Sequence, residues 1–435
     1  MIRLLERRPP RKRSAAAPKS LLLPPAGEPA VEVPPAYGTH FWLAYVSNLL
    51  VMIGVALFYR YADFVHVLGG TEWELGWIVG VGMVGSLAAR LSIGSGIDRH
   101  GSRLIWLGAL GLFTAVCILH VPISNCTSVP IYAVRLAYCC AVAGIVGGSM
   151  TFISARAPAG RLAEMLGMLG TSGFLGNTLG TGLGDLLAGG SPGRMEVNSM
   201  FLVAGGLGLA AAIFAALATR GELRPVHDVA PPFWSTLRRH LPLGALMVGV
   251  AMGIGLNLPY TFLRPYTVEL GIPFVFAFFG TYSMTAFVTR IVTRRWADNW
   301  GPEPVILIGL SILILSELLL LPVGRAGRLL DATWLLMLPG AVFGVAHALL
   351  FPSVVAAGTR SFPRSHRGVA MTLILSTWDV GVLIGAPTGG AILALSRLAG
   401  WPPYPTLFVL TAMLIASVAA VFGVAVCARR RAGGA

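Results

Sequence analysis

From residue 40 onward the chain reads as long apolar runs broken by short polar connections. The runs lie near 40–59, 73–93, 104–122, 131–153, 164–188, 198–218, 241–262, 273–292, 304–323, 333–357, 368–396 and 405–427. A hydrocarbon layer of about 30 Å is crossed by about 20 residues of α-helix, and lipid offers no partner to backbone N–H and C=O groups. Each run therefore has to satisfy its own backbone, and the pattern predicts an all-α membrane protein with twelve transmembrane helices. The longest polar connection separates six runs from six. The expected organisation is a tail over 1–39, a six-helix bundle over 40–218, a linker over 219–240, a second six-helix bundle over 241–428 and a short tail over 429–435.

An internal repeat supports that division. Arg90, Asp98 and Gly101 after the second run recur as Arg290, Asp298 and Gly301 after the eighth, each displaced by 200 residues. Gly176, Gly180 and Gly184 of the fifth run match Gly381, Gly385 and Gly389 of the eleventh at an offset of 205. Phe58-Tyr59-Arg60-Tyr61, closing the first run, is echoed by Phe262-Leu263-Arg264-Pro265-Tyr266 at the end of the seventh. Three echoes in the same order argue for a duplicated half, a recurring way to build a transporter.

Composition and charge narrow the picture. The 435 residues are 55% hydrophobic and 11% charged, against about 25% charged in soluble proteins. The formal charge of +14 does not point to nucleic acid, because the basic residues sit between apolar runs. Placing the N-terminus inside gathers 25 Lys and Arg on the cytosolic side against 6 outside, with Arg135 alone within a span; by the positive-inside rule both termini are expected in the cytosol. Residues 1–39, with RRPPRKR and repeated Pro, read as a disordered basic tail, and SLLLPPAG is too short for a secretory signal. Five cysteines and eight histidines show no metal-ligand spacing, neither lysine follows a phosphate-cradling glycine run, and no nucleophile–base constellation appears. Neither a cofactor, a metal nor an enzyme is expected.

The stretch GSGIDRHGSR (94–103) carries Gly94, Asp98, Arg99, Gly101 and Arg103 at the cytosolic end of the second span. It resembles the G-x-x-x-D-R-x-G-R-R loop motif of the major facilitator superfamily, and Arg90 is similar to the upstream arginine of its bacterial arabinose-efflux-like and drug-efflux-like branch. The resemblance implies the major facilitator fold: twelve helices in two pseudo-symmetric six-helix bundles rocking about a central site. An aspartate at a helix end can accept from N–H groups at a neighbouring helix N-terminus, and contacts made in only one arrangement would bias two states. Asp98 is thus a candidate latch, with a weaker copy around Arg290, Asp298 and Gly301, where Asn299 replaces the arginine. The small residues Gly176, Gly180 and Gly184, and Gly381, Gly385 and Gly389, allow close helix packing; GVLIGAPTGG (381–390), with Pro387, also resembles the superfamily's antiporter element.

Ionisable groups at bilayer depth cost at least about 2.5 kcal/mol and usually face a cavity or the bundle interior. Arg135 matches the superfamily's span-four arginine; it could hold an anionic substrate group, assist a nearby proton-binding acid, or be structural. Asp379 lies near mid-depth, where a desolvated carboxyl holds a proton more readily than in water. His347 titrates in a useful range or packs. Glu317 is expected close enough to the outer surface to reach water. By the resemblance, Asn48, Tyr138, Asn177, Asn257, Tyr260, Tyr282 and Trp378 are candidate cavity residues, suiting amphipathic or weakly polar solutes.

The resulting expectation is a secondary transporter of a small-molecule substrate in a bacterial inner membrane, monomeric and exporting in exchange for protons. Uptake by symport or uniport, or a non-transporting receptor, are the alternatives.

Overall fold

The computed structural model describes residues 37–158, 161–221, 241–293, 296–326, 333–362 and 367–433, with side chains over the same ranges except at 94–99, 162–163, 297–298, 325–326, 367–369, 430 and 432–433. The expected tail over 1–39 falls outside these residues up to 36, as does the linker from 222 to 240.

The described residues are helical, without strands. The helices are α1 (Thr39–Leu57), α2 (Tyr61–Val67), α3 (Glu72–His120), α4 (Val129–Arg156), α5 (Leu162–Ala188), α6 (Arg194–Ala218), α7 (Leu243–Glu269), α8 (Phe276–Val292), α9 (Trp296–Trp300), α10 (Pro302–Ala326), α11 (Met337–Arg360), α12 (Arg367–Leu398) and α13 (Pro403–Gly433). Local sequence sets their ends. Thr71 caps α3 by accepting from the Trp73 N–H, and Glu74 accepts from the Thr71 N–H at 2.8 Å, a reciprocal box that satisfies donors the helix leaves open.

Among the described residues, ten helices are long and apolar enough to cross a membrane. The two remaining expected runs are helical but fall short of that standard. Helix α8 has 17 residues, and α5 is diluted by its Gly, Thr and Asn content. Both face each other between the chain halves, where contact with protein rather than lipid lowers the demand for apolar surface. Large apolar side chains such as Leu209, Leu395 and Val424 are more than half exposed, as lipid-facing surfaces require and water-facing ones avoid.

Helix packing repeats across the halves. Helix α1 packs on α5 and α6, as α7 packs on α12 and α13; α3 packs on α6, as α10 packs on α13. The halves meet where α3 contacts α12, α5 contacts α8 and α2 contacts α7.

Three boundaries differ from expectation. The first span does not end at residue 59: a 3-10 turn over Phe58–Arg60 carries it into α2, so Arg60 is buried rather than in an outer connection. The stretch 94–103 is a kink inside α3 rather than a loop, made by Gly101 at φ 84°. The expected tail over 429–435 is helical as far as Gly433.

Candidate functional site

A cavity of about 300 Å³ lies between α1, α2, α3, α4, α7 and α12. It brings Arg90, Arg135, Tyr138, Asn257, Tyr260, Trp378 and Asp379 together. Asp379 is 3% exposed and accepts from Ser86 Oγ at 2.8 Å and Arg90 Nε at 2.6 Å. Arg90, grouped with the loop aspartate on sequence spacing, therefore reaches across to the other half of the chain. It stands eight residues before Asp98, about 12 Å along the helix, on the stretch of α3 that packs on α12.

Arg135 is 7% exposed. Its guanidinium carbon lies 4.5 Å from the Tyr61 ring centroid and 5.0 Å from that of Tyr138, which favours the cation through the ring faces. Its Nε and Nη1 have no hydrogen-bond partner among the described residues, nor does the Tyr61 hydroxyl. Gly82 makes room for its stem, since a Cβ there would stand 2.8 Å from Arg135 Cγ.

An aromatic wall leads away from the cavity. Tyr260 donates to Tyr282 at 2.7 Å, and the Tyr282 hydroxyl bonds His347 Nδ1 at 2.8 Å. His347 stacks on Trp378 with centroids 5.7 Å apart. Tyr282 and His347 thus do not line this cavity but are hydrogen-bonded behind Tyr260 and stacked on Trp378.

Two cavity candidates are placed elsewhere. Asn48 donates to Ser172 at 2.6 Å between α1 and α5, and Asn177, also on α5, lines neither this cavity nor the lateral one below. Glu317 does not reach water: it is fully buried, and both carboxylate oxygens lack hydrogen-bond partners among the described residues. The apolar stretch of α10 runs on beyond it to Gly324.

Sequence reasoning missed a buried ion cluster beyond the N-terminal end of α3, away from Arg90. Asp63 accepts from Arg60 at 2.6 Å and from Arg264, of the other half, at 2.8 Å. Arg264 also donates to the Gly190 carbonyl, and Asp185 accepts from Arg60 and from the Val275 and Phe276 N–H groups opening α8. Beside it Arg397 bridges Glu72 and Glu269. The echo of Arg60 by Arg264 was the available signal, but arginines at the ends of apolar runs read as exposed connections.

A lateral cavity of about 610 Å³ opens between α5 and α8, lined mostly by apolar groups with Arg290 on its wall. The Arg290 guanidinium carbon is 5.5 Å from the Phe174 centroid.

The glycines form helix contacts. Cβ atoms at Gly176 and Gly180 would meet α1 at Met52 Cβ (2.6 Å) and the Ile53 carbonyl (2.5 Å), whereas Gly184 has ordinary contact distances. Gly381, Gly385 and Gly389 face α7 in the same way, through Gly253, Ile254 and Phe262. Pro387 packs on α3, where Gly80 leaves it room.

Of the loop residues, the side chains of Asp98, Arg99 and Asp298, with Gly94, lie outside the described ones. Gly101 and Gly301 share left-handed backbone, φ 84° and 83°, and Arg103 donates to the Thr219 carbonyl at 3.1 Å. Among the described residues no cluster of three His, Cys, Asp or Glu could hold a metal.

A buried, charged cavity between two similar helix sets is the arrangement of a membrane transporter. The family model "Major Facilitator Superfamily" matches residues 41–328 and 278–433, and the chain, a multi-pass membrane protein, belongs to that family. It is 32% identical over 113 residues to the MFS-type transporter Rv1250 of Mycobacterium tuberculosis, covering 26% of this chain and 18% of that one. It is 30% identical over 125 residues to the chloramphenicol efflux pump Rv0191 of the same organism, covering 28% and 27%. The match thus spans about a quarter or less of these relatives. The MFS-type transporter MJ1560 of Methanocaldococcus jannaschii is 20% identical over 84% of this chain and 94% of its own. The fold resembles a mutant of the nucleoside transporter NupG (TM-score 0.70, 14% identity, 89% and 99% covered) and a D-xylose-proton symporter (0.68, 13%, 87% and 96%).

Proposed function

We propose that this chain exports a small organic solute in exchange for protons, through twelve spans in two six-helix halves, as a monomer in a bacterial inner membrane with both termini cytosolic. The observation that carries the reading is the Arg90–Asp379 pair, which ties the halves together on the wall of the central cavity. A proton on Asp379 removes the carboxylate charge and frees Arg90, so the tie between α3 and α12 loosens. Return of the proton to the cytosol restores it. The buried cluster around Asp63 and the Glu72–Arg397 bridge form the opposing tie, about 27 Å away along α3. Opening at either end breaks one tie and spares the other, which is the requirement of alternating access. Asp98, with Arg99 and Arg103 beside the kink at Gly101, acts as a latch on the cytosolic side, and the copy around Asp298 as a weaker one. Likeness of part of the chain to a chloramphenicol efflux pump supports export.

The test uses purified protein in liposomes holding a pH dye, under an imposed proton gradient, with pooled drugs and sugars added. The expected result is substrate-dependent collapse of the gradient in wild type and none in Asp379→Asn. Tracer flux without proton movement, or equal collapse in the variant, would overturn the proton-exchange reading.

A further inference from the structure

We infer that the solute taken by the central cavity is a compact organic monoanion with an apolar or aromatic body, and that its acid group is received by Arg135 and the Tyr61 hydroxyl. This rests on the reading of that cavity as the transport site.

Three charged side chains line the cavity: Arg90, Arg135 and Asp379. Two of them neutralise each other, since Arg90 donates to Asp379 at 2.6 Å. The third has no carboxylate within ion-pair distance among the described residues, and two of its guanidinium nitrogens have no hydrogen bond. The cavity wall therefore carries one surplus positive charge, on a side chain only 7% exposed.

A buried cation left without an anion is costly. Ring faces of Tyr61 and Tyr138 offset part of that cost but leave the N–H donors unused, because a cation–π contact engages the guanidinium plane and not its edge. Tyr61, 3% exposed, adds an unpartnered hydroxyl beside the same guanidinium. The unpaired Nε and Nη1 of Arg135 and the hydroxyl of Tyr61 sit on two side chains in contact and make a donor set for an oxyanion. A cationic solute would meet this surplus charge directly, and a neutral one would leave the donors unsatisfied.

The rest of the wall sets the body of the ligand. Phe58, Tyr59, Val79, Met83, Val142 and Trp378 surround the donors with apolar and aromatic surface. About 300 Å³ suits a molecule the size of an aryl-alkanoate and excludes long acyl chains or extended peptides. A dianion would exceed the single unpaired charge. The weakly polar solutes expected from the cavity's amides and aromatics thus acquire one required negative charge.

Gly82 positions the receptor. With a Cβ 2.8 Å from Arg135 Cγ, Gly82→Val would push the guanidinium off the Tyr61 face without removing its charge.

The test is ligand-induced thermal stabilisation of the intact purified protein, at fixed pH and with no gradient. Probes are matched acid and amide pairs: benzoate, 4-phenylbutyrate and 1-naphthoate against benzamide, 4-phenylbutyramide and 1-naphthamide. Acids are expected to bind at least about tenfold more tightly than their amides, as a buried charge-assisted hydrogen bond implies. Arg135→Gln should abolish that preference, and Arg135→Lys, which keeps the charge and guards against misfolding, should retain it with weaker binding. Equal shifts for acid and amide, including no shift with either, would overturn the inference, as would an acid preference that survives in Arg135→Gln. Since no proton gradient is present, failure of the proton-exchange reading shows only in the liposome assay, and failure here shows only in the acid–amide comparison.

Discussion

Arg290 lies against the ring of Phe174, its guanidinium carbon 5.5 Å from the centroid, in the place where the repeat gives its counterpart Arg90 a carboxylate. Arg90 and Arg290 are 200 residues apart on α3 and α8. The offset of 205 that relates α5 to α12 puts Phe174 opposite Asp379. One inter-half contact is therefore an ion pair, and its symmetry mate is a cation on an aromatic ring beside an open lateral cavity.

Phe174→Asp should supply the missing carboxylate. The closed arrangement of α5 against α8 would gain a tie like that of α3 on α12, raising the thermal midpoint and slowing flux. A surplus of about 1.4 kcal/mol for the closed state would cut the open population about tenfold. Scanning fluorimetry and liposome flux check this together; faster flux with a lower midpoint would refute the symmetry argument.

Asp63→Ala should be strongly destabilising. It leaves Arg60 and Arg264, 1% and 2% exposed, without the carboxylate they share, and stranding one side of a buried pair costs about 3–5 kcal/mol. Replacing the four charges together (Arg60→Met, Asp63→Leu, Asp185→Asn, Arg264→Met), which strands none of them, should recover much of the midpoint while failing to close that end, read as increased labelling of a nearby introduced cysteine. Equal midpoints for the single and fourfold variants would count against the cluster as a tie.

The helices were legible because lipid imposes one length and one backbone solution on every span, so apolar runs and helices coincide. Arg135 and Asp379 were legible as well, because a charge deep within an apolar run has to meet a cavity or a polar partner. Arg60, Asp63, Asp185 and Arg264 were not, since a charge at the end of a run has the same local pattern whether it meets water or a partner from the other half. Asn48 and Asn177 show the converse: helix membership was right, but which way each faces depends on packing that the single sequence does not contain. Glu317 was misjudged because its access to water is decided by the protein that covers it, leaving it fully buried, and that packing is not written in the single sequence.

Gly80→Ala should disturb transport where Gly111→Ala does not. A Cβ at 80 would stand 2.5 Å from Pro387 Cγ, and overpacking of this kind costs about 1–3 kcal/mol. Nothing lies within 4 Å of a Cβ at Gly111, and losing a helical glycine gains about 0.5–1 kcal/mol. The midpoints should move in opposite directions, with flux falling only in Gly80→Ala. Matching shifts would mean that α3 and α12 do not need this contact.

Release of the two halves on neutralising Asp379, whose pair with Arg90 holds them together beside the cavity, is the step on which proton exchange depends. It is tested most directly by the distance between nitroxide labels at Leu91 and Met371, both exposed and on α3 and α12 near the pair, in wild type and in Asp379→Asn. A longer-distance population that grows in Asp379→Asn is the predicted result. Identical distance distributions in the two proteins would contradict the account.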